Sequence, residues 1–262
     1  MPPPDVEATP DCSALQTLRP PGAIADERVA VEMPVALTVN EVSQAVMLAT
    51  PADLEDFALG FALSEGWITS RRELLDVDVL PQPGGVELAL RVTAAREQHL
   101  KTRRRLLAGR TGCGLCGLES LAQVGAVQPT PVQAPLLAEG ALDRAMAGLH
   151  AAQVLNARCG GLHGAAWCLP SGELLIARED IGRHNALDKL TGALARREAD
   201  PRDGFVLMSS RASYELVHKT AMAGAGLLAC MSAPSSLAIE MAGRVGLQLW
   251  AFVREGRATR YA

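Results

Sequence analysis

The second half of the chain alternates between strand-like and helix-like segments, and this alternation limits the possible folds more than any other feature. Apolar runs rich in Val, Leu and Ala predict strands, and the segments between them carry the apolar period of helices. A sheet built in this order is mostly parallel and is covered by helices. The predicted segments are helix 142–156, strands 163–169 and 173–178, helix 183–197, strand 204–209, helix 213–224, strand 226–231, helix 235–245 and strand 247–253.

The first half predicts a smaller α+β unit. Residues 28–50 alternate apolar and polar side chains, which indicates two strands that turn near Asn40 and Glu41. A helical pattern follows, in which Thr50 would cap the amino end and Gly66 would stop the helix. Two further strands are predicted near 76–80 and 86–92.

Shifts in composition divide the chain into three parts. Residues 1–26 contain six prolines and predict a disordered tail. Segment 127–135 is proline-rich and nearly uncharged, which is typical of a boundary between two lobes. We therefore expect an N-terminal lobe at 27–135 and a C-terminal lobe at 136–262.

Charge and targeting signals limit the partners and the location. The formal net charge of −4 argues against a general nucleic-acid binder. The long uncharged run 220–239 is interrupted by Pro234 and its neighbouring serines, so no membrane span is predicted. No export signal opens the sequence, and we expect a cytoplasmic protein whose thiols stay reduced. Cys168 and Cys230 lie in predicted strands and are expected to be small core residues.

Three polar loops are expected at one edge of the predicted sheet. Each follows the carboxyl end of a strand, where ligands bind in open α/β sheets, and each precedes a helix. Helix N-termini offer free N–H donors and arginine binds phosphate through two hydrogen bonds, so these loops predict a phosphate site. Helix capping and ion pairing are the alternative for any single loop. The loop residues are Arg178, Glu179, Asp180, Arg183, His184, Asn185, Ser210, Arg211, Ser213, Ser232, Ser235 and Ser236.

Residues 109–118 hold two cysteines, Cys113 and Cys116, among four glycines. A structural zinc site needs four ligands, and the chain could add Cys159 and His163 to this pair. A thioredoxin-type redox pair is disfavoured, because the glycines leave the loop without a fixed dithiol geometry. A loop of this kind suits a carrier that uses one sulfur at a time.

His163, in "GGLHGAAW", can be compared with the histidine in the sequence pattern of zinc nucleobase deaminases. Their H-x-E pattern supplies a glutamate as general acid and base, and Ala165 stands at that position here. The CxxC pair also precedes the histidine instead of following it. Deamination is therefore disfavoured, and His184 in the polar loops is a stronger functional candidate than His163.

Seven long motifs cover most of the chain beyond the tail: "TPADLEDFALGFALSEG", "TGCGLCG", "GGLHGAA", "REDIGRHNALDKL", "SSRASYELVHKTAMAG", "SAPSSLAIEMA" and "FVREGR". Together and in this order they resemble the FdhD family of formate dehydrogenase accessory sulfurtransferases. The chain departs from the family pattern where His163-Gly164-Ala165 replaces the usual HAA, and where Cys159 replaces a common threonine.

The resemblance implies a cytidine-deaminase-like α/β fold for the C-terminal lobe, and a flexible CxxC loop on the N-terminal lobe. It implies a carrier-type sulfurtransferase that takes sulfur from a cysteine desulfurase as a persulfide. The sulfur would pass to the bis-molybdopterin guanine dinucleotide cofactor of formate dehydrogenase, which is bound as the object of sulfuration. A homodimer is also implied, and no resident metal is expected.

The resemblance also assigns roles by position. Cys113 would carry the persulfide and Cys116 would assist it. Cofactor binding would involve the terminal segment Phe252, Val253, Arg254, Glu255, Gly256 and Arg257, together with Arg183, His184, Ser210, Arg211 and Ser235 of the polar loops, and His163. The alternative is a zinc-stabilised nucleotide-binding module without sulfur transfer.

Overall fold

The structure is a computed structural model, and it describes residues 12–19, 23–107, 129–254 and 256–262. The strands are β1 Cys12–Arg19, β2 Ala23–Ala30, β3 Met33–Val39, β4 Val42–Ala49, β5 Leu74–Gln82, β6 Gly85–Val92, β7 His163–Cys168, β8 Leu174–Asp180, β9 Phe205–Met208, β10 Leu227–Cys230, β11 Gln248–Arg254 and β12 Arg257–Arg260. The helices are α1 Leu54–Ser64, α2 Ala94–Leu107, α3 Ala141–Ala152, α4 Val154–Cys159, α5 Arg183–Arg196, α6 Tyr214–Met222 and α7 Ser236–Val245.

The second half of the chain forms a six-stranded sheet in the order β12-β11-β10-β9-β7-β8. Strands β9, β10 and β11 are parallel, whereas β7 runs antiparallel to both of its neighbours and β12 antiparallel to β11. The prediction of a mostly parallel sheet is therefore wrong, and the sheet is mixed. The physical reason is that short turns close the β7–β8 and β11–β12 hairpins, and a short turn can join only antiparallel strands.

Helices cover both faces of this sheet. On one face α5, α6 and α7 pack against Ala165, Trp167, Met208 and Cys230, and on the other face α3 packs against the alternate strand residues, which include Cys168. The prediction that Cys168 and Cys230 are core residues is confirmed, and burial raises the pKa of the Cys168 thiol to about 12. None of the helices in the described ranges is long and apolar enough to cross a membrane.

The first half forms a four-stranded sheet in the order β4-β3-β6-β5, with α1 packed on one face. The predicted hairpin is confirmed, since Asn40 and Glu41 form its two-residue turn with φ angles of 45° and 68°. Such positive angles are required by the turn type that matches strand twist. The Asn40 side chain also accepts a hydrogen bond from the Val92 N–H at 3.0 Å, which ties the turn to β6.

Two predicted helix boundaries are wrong because of hydrogen bonds to residues far along the chain. Helix α1 begins at Leu54, because the Thr50 hydroxyl accepts the Ile181 N–H at 3.2 Å instead of capping the helix. The helix predicted at 142–156 breaks at Gln153 into α3 and α4. The Glu179 carboxylate accepts the N–H groups of the first turn of α4 at 2.8 Å, and so it stabilises a new helix start.

The prediction of a disordered tail at 1–26 is wrong for the part that the structure describes. Strands β1 and β2 pair antiparallel over their full length. Both segments are free of proline, and the prolines that suggested disorder lie outside them, including Pro20 and Pro21. A proline-free segment keeps all its N–H donors, which the ladder uses.

The two sheets meet where α1 crosses α5. A Cβ atom placed on Gly60 would lie 1.7 Å from the carbonyl oxygen of Asp188, and one placed on Gly192 would lie 1.9 Å from that of Asp56. The two helix backbones therefore touch at a pair of glycines. We call this region the interlobe joint, and its polar residues are Thr50, Asp56, Ser64 and Glu65 from the first half with Arg178, Asp180, Asp188, Lys189 and Lys219 from the second.

Candidate functional site

The predicted persulfide site lies outside the described residues. This applies to Cys113, Cys116 and the whole loop 109–118, and also to Glu255 of the terminal segment. Their roles stay predictions. The site that the structure does describe is the polar edge of the six-stranded sheet, where the carboxyl ends of β8, β9, β10 and β11 meet the amino end of β7.

The loops after β9 and β10 are joined at this edge, as the sequence predicts. The Ala212 N–H donates to the Ala233 carbonyl at 3.1 Å, and the Ser235 N–H donates to the Ala212 carbonyl at 3.0 Å. Ser210 is buried, and its hydroxyl donates to the Arg211 carbonyl at 3.1 Å, whereas the Arg211 side chain is exposed. Of this pair, only the arginine side chain is available to a ligand.

Several polar residues of the edge form hydrogen bonds, ion pairs or helix caps within the protein, and these side chains are not free to bind a ligand. The Asp180 carboxylate accepts hydrogen bonds from Lys189 at 2.6 Å and Asn185 at 2.9 Å, and Arg178 pairs with Asp56 at 2.6 Å. Ser213 and Ser235 cap α6 and α7. For these side chains the capping and ion-pair alternative is the one that the structure supports, although the Ser235 side chain is exposed.

A cluster of ionisable side chains lies at the amino ends of α5 and α6. It consists of His163, Arg183, His184, Ser213 and Glu215, and we call it the histidine cluster. His184 Nε2 lies 2.7 Å from a carboxylate oxygen of Glu215 and 3.4 Å from the Ser213 hydroxyl. The sequence indicated four of its members, Ser213 among the polar loops and the two histidines and Arg183 as cofactor-binding residues, and the structure brings these four together.

The two histidines of the cluster differ in their electrostatic surroundings. Burial lowers the pKa of His163, and the nearby positive charges of Arg183 and His184 lower it further. The hydrogen bond from His184 lowers the pKa of Glu215, with additional contributions from the charges of Lys219 and Arg183. At neutral pH the cluster therefore holds an uncharged His163 and an ionised Glu215.

Two buried nitrogen atoms near this edge have no hydrogen-bond partner among the described residues. One is Nε of Arg183, and the other is Nε2 of Gln153, whose side chain packs against Gly164 of β7. The N-cap position of α5, Gly182, also supplies no side-chain acceptor to the first turn. Unsatisfied buried donors are costly, so a missing acceptor such as an anionic ligand is the natural partner.

The β11–β12 hairpin, which we call the terminal hairpin, contacts the loop after β10. Phe252 adopts a φ of 51° at an irregularity in β11, and its N–H donates to the Ser232 carbonyl at 3.2 Å. Val253 is fully buried, so only its backbone could face a ligand. Arg254 lies directly opposite Arg257, and both are exposed. Two like charges in this position repel each other, and a bound anion would relieve the repulsion.

Strands β10 and β9 lie between β11 and β7, so the terminal hairpin is about 14 Å, or three strand spacings, from the strand that carries His163. Gly256 has a φ of 67°, and its N–H donates to the Asp143 carboxylate of α3 at 2.9 Å. Within the described ranges, no hydrogen bond or ion pair connects Arg254 or Arg257 with the histidine cluster. The predicted cofactor residues therefore form two groups that a single extended ligand would have to span.

The possible zinc ligands are only partly described. Cys159 donates its thiol to the Leu155 carbonyl at 3.1 Å inside α4. The described part of the chain contains no group of three or more His, Cys, Asp and Glu side chains placed to hold a metal ion. The zinc alternative also needs Cys113 and Cys116, so it stays a prediction.

Sequence reasoning missed Glu215 and Gln153. Glu215 stands in the first turn of a helix, where an acidic residue is ordinary, and only its distance to His184 distinguishes it. Gln153 was placed inside a predicted helix. No local pattern distinguishes it, because its side chain packs against Gly164 of β7, which is not a neighbour in sequence.

Comparison with known proteins identifies one family. The family model described as the FdhD/NarQ family matches residues 30–262. A sulfur carrier protein FdhD of Bordetella petrii is 46% identical over 257 residues, which are 96% of this chain and 92% of the relative. A protein of the same name from Variovorax paradoxus is 54% identical over 226 residues, which are 86% of this chain and 81% of the relative.

A solved structure has the same architecture. It is a crystal structure from Desulfotalea psychrophila that is described as a formate dehydrogenase accessory protein. It matches with a TM-score of 0.73 and 25% identity over 95% of each chain. The likeness therefore extends over nearly the whole length of both chains.

Proposed function

Because the chain belongs to the FdhD/NarQ family, as the sequence motifs predicted, we propose that it is a sulfur carrier that serves formate dehydrogenase. The observation that carries this proposal is that relatives 46% to 54% identical, over most of both chains, are named sulfur carrier proteins. The related solved structure, described as a formate dehydrogenase accessory protein, supports the same client.

The proposed chemistry is a persulfide relay through Cys113. The Cys113 thiolate attacks the outer sulfur of a persulfide on a cysteine desulfurase, a new S–S bond forms, and the desulfurase cysteine leaves as a thiolate. Cys113 then holds the sulfur as a persulfide, with Cys116 as the assisting thiol. The glycines around both cysteines allow the loop to reach first the donor and then the acceptor.

The proposed acceptor is the bis-molybdopterin guanine dinucleotide cofactor, which is the object of sulfuration. Its phosphates need cationic and N–H donors, and Arg183, Arg211 and the uncapped first turn of α5 supply them. The arginine pair of the terminal hairpin would bind a second anionic part of the ligand. A dinucleotide with two guanine ends is long enough to engage two separate groups of residues.

The finer description of the fold belongs to the same proposal. We propose that the C-terminal lobe is cytidine-deaminase-like and has lost deaminase chemistry, since Ala165 replaces the catalytic glutamate of that pattern. The proposed partners are a cysteine desulfurase, formate dehydrogenase and a second copy of the chain.

Complementation tests the proposed relay. A strain that lacks its own carrier should regain active formate dehydrogenase with the wild-type chain and should not regain it with Cys113→Ala. The matched control is Cys168→Ala, which removes a buried thiol and should keep the relay if the protein folds. A fully active client with Cys113→Ala would overturn the proposal.

Metal analysis separates this function from the zinc alternative. Purified protein that contains stoichiometric zinc, lost on replacement of Cys113, would favour a zinc-stabilised module. We expect no such zinc, because the thiol pair must remain free to accept sulfur.

A further inference from the structure

We propose that Glu215 is a positioning residue that holds the imidazole of His184 with a proton on Nε2 and with Nδ1 free for the ligand. This inference rests on the proposed function, because it gives a role to a residue behind the proposed cofactor site. No sequence motif assigned a function to Glu215. The carrying observation is the 2.7 Å contact between His184 Nε2 and the Glu215 carboxylate.

The partners of Nε2 decide which ring nitrogen carries the proton. A carboxylate is only an acceptor when ionised, so Nε2 must donate to Glu215. The Ser213 hydroxyl, 3.4 Å from Nε2, already accepts the Leu216 N–H as the cap of α6. His184 Nδ1 has no hydrogen-bond partner among the residues that the structure describes. The ring is therefore fixed on one side and available on the other.

Glu215 is itself held in the ionised state from several sides. It lies in the first turn of α6, where the helix dipole favours a negative charge. Lys219 follows one turn later on the same helix, and Arg183 of α5 adds a second positive charge. Lys219 is buried and is anchored to Asp188 at 2.7 Å. The charge of Glu215 is thus maintained by Lys219, which is anchored in the interlobe joint, and by Arg183 of the proposed site.

The arrangement gives the two histidines different capacities. With the proton held on Nε2, Nδ1 of the neutral His184 ring is an acceptor. His184 can then accept a hydrogen bond from a hydroxyl or N–H group of a nucleotide, while the Arg183 guanidinium supplies the donors for a phosphate. His163, which burial and neighbouring charges keep uncharged, has no such carboxylate contact in the described residues. Glu215 therefore makes His184 the oriented acceptor of the cluster.

A double-mutant cycle tests this role with guanosine diphosphate as the probe and the full-length protein. Glu215→Gln should weaken binding about tenfold, or about 1.4 kcal/mol, because the His184 ring loses the carboxylate that orients it. His184→Gln should cause a similar loss, and the double variant should be no weaker than His184→Gln alone. Additive losses, or unchanged affinity in Glu215→Gln, would overturn the proposal.

The matched control is Glu240→Gln, which removes an acidic side chain of α7 that pairs with Arg244 on the exposed surface. It carries the same change in net charge without touching the histidine cluster. We expect wild-type affinity for this variant. A loss equal to that of Glu215→Gln would mean that net charge and not position is responsible.

Nitrogen NMR of the His184 ring decides the question independently of nucleotide binding. In the wild type at a pH where the ring is neutral, the proton should reside on Nε2, and Glu215→Gln should shift the population toward the other tautomer. A wild-type ring with its proton on Nδ1 would contradict the role of Glu215. If the wild type fails to bind guanosine diphosphate, the proposed cofactor site is wrong, and the ring measurement still decides the positioning role.

Discussion

The interlobe joint and the histidine cluster contain similar side chains and use them in opposite ways. In the joint, Lys219 donates to Asp188 at 2.7 Å, to Ser64 at 3.0 Å and to Glu65 at 3.2 Å. In the histidine cluster, Nε of Arg183 is buried without a partner among the described residues. A charge that is satisfied inside the chain contributes to folding, whereas a charge left unsatisfied is available to a ligand.

The pKa of Lys219 in the joint and the pKa of His163 in the histidine cluster shift in opposite directions. Burial acts to lower the pKa of Lys219, but the carboxylates of Asp188 and Glu65 outweigh it and raise the pKa above its ordinary value. The pKa of His163 is lowered by burial and by neighbouring positive charges, without a carboxylate strong enough to compensate. The joint concentrates buried ion pairs, whereas the cluster places Arg183 and two imidazoles next to one carboxylate.

The largest expected effect is at the joint. Lys219→Met should lower the free energy of unfolding by about 3–5 kcal/mol, because it leaves the buried Asp188 carboxylate without its counter-charge. Chemical denaturation measures the change. Arg244→Met, which removes one partner of an exposed pair, should cost less than about 1 kcal/mol. Equal losses in the two variants would remove the distinction between buried and exposed pairs.

A smaller loss is expected from the glycine contact in the joint. Gly192→Ala should cost about 1–3 kcal/mol, because its Cβ would lie 1.9 Å from a backbone oxygen of α1 and would force the helices apart. Gly243→Ala in α7 is the matched control, since nothing lies within 4 Å of its added Cβ. That control should be neutral or stabilise the protein by up to about 1 kcal/mol. Stability measurements on both variants would contradict the close contact if Gly192→Ala behaved like Gly243→Ala.

The polar edge should show the opposite pattern, with an effect on binding and almost none on stability. Arg211→Ala should weaken guanosine diphosphate binding about tenfold, or about 1.4 kcal/mol. Its free energy of unfolding should change by less than about 0.5 kcal/mol, since the side chain is exposed. Calorimetric titration and denaturation on the same sample measure both quantities. Unchanged affinity would remove Arg211 from the site.

The smallest expected effect is on how the free energy of unfolding declines at acidic pH. Because the folded state lowers the pKa of Glu215, its carboxylate stabilises the protein above its ordinary pKa of 4.5, and this contribution is lost as the pH falls through the lowered value. Glu215→Gln should therefore flatten the decline in stability below that pH. Denaturation across acidic pH tests this, with Glu240→Gln as the control. If stability declined at acidic pH as steeply in Glu215→Gln as in the wild type, the pair with His184 would not stabilise the fold.

Sequence patterns predicted the features that depend on neighbouring residues. The hairpin at Asn40 and Glu41 follows from local turn chemistry, and the strand and helix order of the second half follows from apolar periodicity. The errors occurred where a partner is far along the chain. The Thr50 hydroxyl accepts the N–H of Ile181, 131 residues away, so its helix-capping signal is overridden.

The candidate site shows the same limit. Arg183 and His184 were predicted from their place after a strand, and the structure brings them together with His163. Glu215 could not be predicted, because an acid in the first helical turn is common and its contact with α5 depends on how the two helices pack. The separation of the predicted cofactor residues into two groups could not be predicted either, because it depends on the order of the strands in the sheet.

The central claim is that Cys113 carries sulfur, and mass spectrometry tests it most directly. The full-length protein is incubated with a cysteine desulfurase and cysteine, digested without reductant, and analysed over the peptide that contains residues 112–118. We predict a mass gain of one sulfur atom on this peptide in the wild type and none in Cys113→Ala. No added sulfur in the wild type, or the same gain in Cys113→Ala, would contradict the account.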